Sequence, residues 1–203
     1  MTLYVLTHAS FIIDVFPVSL LLLIFVVSGY PEHSIFQIEI FSLPDKPEEY
    51  WMLKAIALAE QAAKNNEVPV GAVVVFDGQI IGRGSNAPIG NHDPTAHAEI
   101  IALQEAAKSV ANYRLIDADI YVTLEPCAMC AGAIIHSRIR RLYFGAYEPK
   151  SGAVCSHIRL LEQPCMNHSV EVVAGICAEQ CQVVISQFFK GRRAEQKALK
   201  QRQ

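Results

Sequence analysis

One histidine, one glutamate and two cysteines occur at spacings that would let them hold a metal ion and use it. His97 and Glu99 lie in the sequence HAE, and Cys127 and Cys130 follow in the sequence PCAMC. Two sulfurs and one imidazole nitrogen form a ligand set that suits Zn²⁺. Three protein ligands leave a fourth tetrahedral position for water, which is typical of a catalytic zinc site rather than a structural one.

Glu99 is the residue expected to move protons at this site. Zinc held by two thiolates is formally neutral, so it is less electrophilic than zinc held by three histidines and depends more on a separate proton acceptor. A glutamate beside a metal-activated water can take its proton and later give it to a leaving group. Residues two apart do not share a helix face. His97 must therefore lie at or before the first turn of its helix if both side chains reach one pocket.

The two cysteines are predicted to lie at the start of a helix. Cys127 and Cys130 are three residues apart and would project to one face, and Pro126 would pre-set the entry of the chain into the helix. The positive end of the helix dipole stabilises thiolates there and lowers their pKa. The same pattern alone also occurs in redox and structural sites. A structural zinc site would need a fourth ligand. The histidines available for it are His92, His136, His157 and His168, and none of them has paired ligand spacing.

Hydrophobic periodicity and turn residues predict the elements that position these groups. Helices are predicted over 47–66, 96–110, 127–137 and 178–201, and strands over 118–125, 139–147 and 169–176. Residues 68–84 are predicted to form two strands around Asp77-Gly78, a hairpin signal, with a loop over 86–95. Strands that alternate with helices favour parallel crossovers. We therefore expect an α/β fold, a three-layer α/β/α arrangement with a mixed central sheet of about five strands.

Charge is unevenly distributed along the chain. The formal net charge is −3, from 17 basic and 20 acidic residues, yet residues 1–45 contain no Lys or Arg. The last fourteen residues contain six basic side chains, opposed only by Glu195. Such a run is typical either of a solvated helix face or of a nucleic-acid contact. The six cysteines do not favour a disulfide framework, which is a feature of short secreted chains with little core.

The N-terminal part is predicted to be an apolar appendage over 1–46, ahead of a catalytic domain over 47–203. Residues 11–27 are strongly apolar, but no positive charge precedes them and no clear cleavage site follows, so a signal peptide is not expected. The apolar run from Val15 to Val27 is shorter than the roughly 20 residues that a membrane span needs. It contains Pro17, and Asp14 directly precedes it. We expect this part to be dispensable for activity. One hypothesis is that the translation start is assigned too far upstream and that translation begins near Leu43. The alternative is a genuine membrane-peripheral or interaction segment.

The sequence resembles the bacterial tRNA-specific adenosine deaminases, which are zinc-dependent nucleobase deaminases of the cytidine/deoxycytidylate deaminase superfamily. The resemblance extends from about residue 49 to 200, and residues 1–45 lie outside it. It rests on His-x-Glu followed by Pro-Cys-x-x-Cys and on these longer stretches: EYWM, EVPVGAVVV, NAPIGNHDPTAHAEI, NYRLIDADIYVTLEPCAMCAGAIIHSRI, FGAYEPKSGA, MNHSVEVVAGI and FFKGRR.

The resemblance implies a cytidine-deaminase-like fold and a cytoplasmic homodimer with one Zn²⁺ per subunit. The implied reaction converts adenosine to inosine at the wobble position of an arginine tRNA, with the tRNA anticodon stem-loop as substrate partner. It implies that His97, Cys127 and Cys130 bind zinc and that Glu99 shuttles the proton. Asn86 would hydrogen-bond the flipped base, since an amide both donates and accepts.

Further substrate contacts follow from the same resemblance. The family commonly has an aspartate near the substrate strand where this chain has Glu148, one methylene longer, so the geometry of a ribose contact would change. In the basic C-terminal helix, Phe188 or Phe189 would pack near a base, and Arg192 and Arg193 would meet phosphates.

Two other functions compete with this one. The zinc signature also fits a deaminase of a free nucleoside or base such as cytidine or guanine; the basic terminal helix and the extent of the resemblance favour the tRNA enzyme. The second rival is a zinc-stabilised module that binds tRNA without catalysing a reaction. A structural zinc in such a module would need a fourth protein ligand, and Glu99 would have no role in it.

Overall fold

The computed structural model describes residues 47–201. The predictions made for residues 1–46, including the apolar stretch at 11–27, lie outside the described residues. Among the described residues, no helix combines the length and the apolar character needed to cross a membrane.

Five strands and five helices form the described part of the chain. The helices are α1 (Pro47–Lys64), α2 (Pro88–Asn91), α3 (Ala98–Ser109), α4 (Ala128–His136) and α5 (Ala178–Lys200). The strands are β1 (Gly71–Phe76), β2 (Gln79–Ser85), β3 (Asp119–Leu124), β4 (Arg141–Ala146) and β5 (Glu171–Ala174), and a short 3-10 turn covers Leu160–Glu162.

The strands form one mixed sheet in the order β2-β1-β3-β4-β5. β1 is antiparallel to both β2 and β3, whereas β3, β4 and β5 are parallel. The hairpin between β1 and β2 turns at Asp77 and Gly78, whose φ angles of 48° and 68° are left-handed, as a tight two-residue turn requires. The predicted hairpin, parallel crossovers and five-stranded mixed sheet are confirmed.

Helices cover both faces of the sheet, because the alternating side chains of each strand point to two cores. One core contains Val74, Ile120 and Phe144 with side chains of α3 and α4. The other contains Val73 and Tyr121 with α1 and the first turn of α5. The predicted three-layer α/β/α arrangement is therefore confirmed.

Close contact between β2 and α3 fixes the position of the helix that begins beside His97. A methyl group at Gly84 would overlap the backbone of Ala98 and Ala102, and one at Gly82 would overlap the backbone of Ala102 and Ala106. Glycine at these positions lets the helix backbone approach the strand directly.

Local structure differs from prediction at two places. The segment 86–95 contains the helical turn α2, since Pro88 is pre-set for a first helical position. Helix α4 begins only at Ala128, with Cys127 as its N-cap, so Pro126 precedes the helix rather than opening it. Helix α5 begins at Ala178 as predicted, with Cys177 as its N-cap at a φ of 51°, and Cys181 is buried in the core.

Candidate metal centre and active site

The carboxyl ends of three strands meet at one edge of the sheet. β3 and β4 are parallel, and β2 has the same direction because both β2 and β3 are antiparallel to β1. Asn86 follows β2, Cys127 follows β3, and Glu148 follows β4. Ligands bind in α/β sheets at such carboxyl edges, so the topology places three separate segments of the chain around one site.

His97, Cys127 and Cys130 form a triangle of the size that a tetrahedral metal requires. The His97 Nδ1 atom lies 3.7 Å from Cys127 Sγ and 3.5 Å from Cys130 Sγ. Zn–S bonds of about 2.3 Å and Zn–N bonds of about 2.1 Å at a tetrahedral angle put nitrogen and sulfur about 3.6 Å apart. All three ligand atoms lie within 4.8 Å of one another. The donor set and its spacing therefore fit a zinc ion.

Two helix N-termini hold the three ligands in place. His97 is the N-cap of α3 and Cys127 is the N-cap of α4, both with extended backbone. Cys130 lies one turn into α4 and is fully buried. A hydrogen bond from the Cys130 thiol lowers the pKa of Cys127 to about 5. The same interaction raises the pKa of Cys130 far above its usual range. A bound cation would displace this proton, because metals bind cysteine as thiolate.

Glu99 is buried beside the ligand triangle. It is the second residue of α3 and only 3% exposed. Burial raises the pKa of the Glu99 carboxyl to about 7. A carboxyl that gains and loses its proton near neutral pH suits general acid–base chemistry. His97 at the N-cap and Glu99 in the first turn meet the spatial condition that their spacing imposed.

Asn86 is buried, and its side chain has two separate tasks available to it. Its Oδ1 accepts a hydrogen bond of 2.8 Å from the backbone N–H of Ala98, the first residue of α3. Its backbone N–H donates to Val70 O at 3.0 Å, which fixes the residue at the end of β2. The side-chain carbonyl thus contacts the first turn of the helix that carries Glu99, and Nδ2 is the second polar group of the same side chain.

Glu148 lies on a loop that a second, unpredicted carboxylate organises. The Glu148 Oε1 atom accepts from Lys150 N–H at 2.9 Å, and the Glu148 backbone N–H donates to Glu125 Oε2 at 3.1 Å. Glu125, 3% exposed, also accepts from the N–H groups of Val154, Cys155 and Ser156. Burial acts to raise the pKa of Glu125, but these hydrogen bonds and that of the Ser156 hydroxyl hold it below its usual value. The sequence signal for Glu125 was an acid directly after the predominantly buried strand β3 and just before Pro126 and Cys127.

The remaining predicted contact residues lie on the exposed part of α5. Every residue from 189 to 200 is exposed. The rings of Phe188 and Phe189 pack edge to face with centroids 5.5 Å apart, and Phe189 is 41% exposed. Arg192 forms an ion pair of 3.3 Å with Glu195. Phe189, Arg192 and Arg193 are therefore accessible, and the described contacts do not join them to the metal centre.

Comparison with known proteins places the chain among deaminases. A model of the MafB19-like deaminase family matches residues 47–193. The tRNA-specific adenosine deaminase of Haemophilus influenzae is 52% identical over 151 residues, which cover 74% of this chain and 87% of that relative.

Solved structures agree with the sequence comparison. A tRNA:A34 deaminase, solved in work on A-to-I editing at the wobble position of transfer RNA, is similar with a TM-score of 0.65 and 44% identity. The similarity covers 66% of this chain and 98% of that one. A guanine deaminase from Nitrosomonas europaea has a TM-score of 0.61 at 21% identity, covering 69% of this chain and 83% of its own. The similarity to the guanine deaminase shows the fold alone. The two structures together confirm the predicted cytidine-deaminase-like fold.

Proposed function

Because the chain belongs to the family of tRNA-specific adenosine deaminases, we propose that it converts adenosine to inosine at the wobble position of a tRNA anticodon, in an arginine tRNA. The observation that carries this proposal is the buried Glu99 carboxyl next to the His97–Cys127–Cys130 triangle. The reaction consumes one water and releases ammonia, so it needs a site that both activates water and moves protons.

The three triangle residues would hold one Zn²⁺ per subunit. When bound, zinc supplies Lewis-acid activation of a water molecule at neutral pH. The two thiolates and one imidazole leave a position open for that water. The buried wall formed by Cys130 and Glu99 limits access of further solvent to the reacting base.

Glu99 would carry the proton through the reaction. It would take one proton of the attacking water and give it to the adenine ring nitrogen. It would then take the proton of the hydroxyl newly formed at C6 and give it to the departing amine, which leaves as ammonia while C6 becomes a carbonyl. A pKa near 7 lets one carboxyl perform both the acceptor and the donor step near neutral pH.

Asn86 would hold the flipped base with its Nδ2 group, since Oδ1 is engaged by Ala98. The wobble base lies in a single-stranded loop, so removing it from its stack costs less than it would in a duplex. Because Asn86 also anchors the first turn of α3, base recognition and the position of Glu99 depend on the same side chain.

The surface around the site supports a polynucleotide substrate rather than a free base. Ile89 in α2, three residues after Asn86, is 65% exposed, and Tyr147, directly after β4, is 54% exposed. Exposed apolar side chains beside a site give bases a surface for stacking. Glu148 would contact a ribose hydroxyl, and Phe189, Arg192 and Arg193 on α5 would contact the RNA.

We infer from the family resemblance that the enzyme acts in the cytoplasm as a homodimer. Light scattering of the purified protein measures the assembly directly; a mass of one chain at assay concentration would contradict the dimer. The division into an appendage over 1–46 and a catalytic domain over 47–203 is proposed on the same basis.

A substrate comparison tests the proposed function. The purified zinc-loaded protein is incubated with an arginine anticodon stem-loop carrying adenosine at the wobble position, and the digested RNA is analysed for inosine. Free adenosine, cytidine and guanine serve as parallel substrates, and Glu99→Ala serves as the inactive control. We expect inosine only from the stem-loop. Turnover of a free base or nucleoside at a comparable kcat/KM would favour the small-substrate deaminase, and tight RNA binding without inosine would favour a binding module.

A further inference from the structure

Glu125 forms the centre of a hydrogen-bond cluster that the proposed chemistry does not use. Its Oε1 accepts from the backbone N–H groups of Val154, Cys155 and Ser156 at 3.2, 2.7 and 2.8 Å. Its Oε2 accepts from Glu148 N–H at 3.1 Å and from the Ser156 hydroxyl. Both oxygens of one buried carboxylate are therefore engaged by donors on a single loop, which follows β4.

The same loop is joined to the segment that carries the cysteine ligands. The N–H of Ala153 donates to Pro126 O at 2.8 Å, and Gly152 forms an isolated antiparallel bridge with Cys127. A methyl group at Gly152 would overlap the Glu125 carboxylate. The loop is thus bound to residues 125–127 by backbone and side-chain contacts together.

We propose that Glu125 is a positioning residue, which fixes the Glu148 end of this loop relative to the metal ligands and so sets the substrate-binding geometry. The proposal rests on the proposed function for its substrate readout, since Glu148 is a proposed RNA contact. A carboxylate is needed at this position because a set of converging N–H groups leaves room only for acceptors.

The Glu125→Gln substitution separates the two halves of the cluster. An amide has one acceptor oxygen and one NH₂ donor. The oxygen can replace Oε1 and keep the three N–H groups of residues 154–156, and the Ser156 hydroxyl can rotate to accept. The NH₂ group then faces the N–H of Glu148, donor against donor, so the variant releases Glu148 alone.

Two variants provide matched controls. Glu67 is also 3% exposed, and its Oε1 accepts a hydrogen bond from the N–H of Gly90 at 2.7 Å, which a glutamine oxygen can accept equally well. Glu67→Gln therefore makes the same chemical change in a buried carboxyl without a donor conflict. Ser156→Ala removes the hydroxyl while leaving the four N–H contacts of Glu125 intact.

The test measures amide hydrogen exchange by NMR, metal content, and kcat and KM on the stem-loop. In Glu125→Gln we expect faster exchange confined to Glu148 and its neighbours, metal content equal to wild type, and a KM raised roughly tenfold with a smaller change in kcat. Glu67→Gln and Ser156→Ala should match wild type within about twofold. Uniformly faster exchange, or lower stability with an unchanged KM, would show that Glu125 only supports the fold.

A double-mutant cycle identifies the route of the effect. If Glu125 acts through Glu148, then Glu125→Gln should raise KM much less in a Glu148→Ala background than in wild type. An equal effect in both backgrounds would overturn the proposal. If the wild-type protein does not deaminate the stem-loop, the proposed function fails, while the exchange measurement still decides whether Glu125 holds Glu148.

Discussion

Replacing Glu99 with glutamine should stabilise the metal-free protein while abolishing its activity. The carboxyl is 3% exposed, and burial raises its pKa from the ordinary 4.5 to about 7. The unfolded chain therefore releases this proton at lower pH than the folded chain does. Above pH 7 the folded state bears the full cost of the buried negative charge, which a neutral amide of the same shape avoids.

The magnitude follows from the two pKa values. At about 1.4 kcal/mol per pH unit, the interval from 4.5 to about 7 corresponds to a cost of about 3 kcal/mol at pH above 7. The sign is fixed because the folded state binds more protons than the unfolded state between these values, so stability falls as pH rises through them. Below about pH 4.5 both states are protonated and the cost disappears.

The assay compares urea unfolding of wild type and Glu99→Gln, both treated with chelator and reductant, from pH 5 to pH 8. The difference in unfolding free energy should grow with pH toward about 3 kcal/mol in favour of the variant. Glu105→Gln is the matched control, since Glu105 lies on the same helix and its side chain is half exposed. Equal stability of wild type and Glu99→Gln at pH 8, or a difference that shrinks with pH, would refute the reasoning.

Three further predictions concern the other site residues. The Cys127→Ser and His97→Ala variants should lose bound zinc, because only two strong ligands remain in each. The control variant Cys165→Ser, at an exposed cysteine, should retain it. Zinc content is measured by elemental analysis, and full occupancy in Cys127→Ser would refute the ligand assignment. The Asn86→Asp variant should fold normally, since a carboxylate still accepts a hydrogen bond from Ala98 N–H. Its activity should fall by about tenfold or more, because it lacks the Nδ2 donor. A kcat/KM equal to that of wild type would exclude base recognition by Asn86. Removing residues 190–203 should leave zinc content unchanged but weaken tRNA binding and make it less dependent on salt, because phosphate contacts release counterions. Filter-binding titrations measure the binding constant as a function of salt concentration. An unaltered salt dependence would indicate that this segment is only a solvated helix face.

Some features of this protein follow from the sequence because they depend on neighbours along the chain. Turn chemistry at Asp77 and Gly78 determines the hairpin, and a continuous apolar run such as that of β1 indicates a strand buried on both faces. The two half-sites, His97 with Glu99 and Cys127 with Cys130, were recognisable because each set lies within one turn of a helix start, where spacing dictates which side chains converge.

Tertiary structure alone decided how these half-sites meet and what surrounds them. The sulfur–nitrogen distances of 3.5 and 3.7 Å depend on the placement of α3 and α4 against the sheet. The hydrogen bond from Ala98 N–H to Asn86 Oδ1 also depends on that packing. The role of Glu125 could not be read from its neighbours, since its donors lie 23 to 31 residues away. A buried carboxylate is stable only where donors from distant segments satisfy it, and that satisfaction is a property of the folded chain.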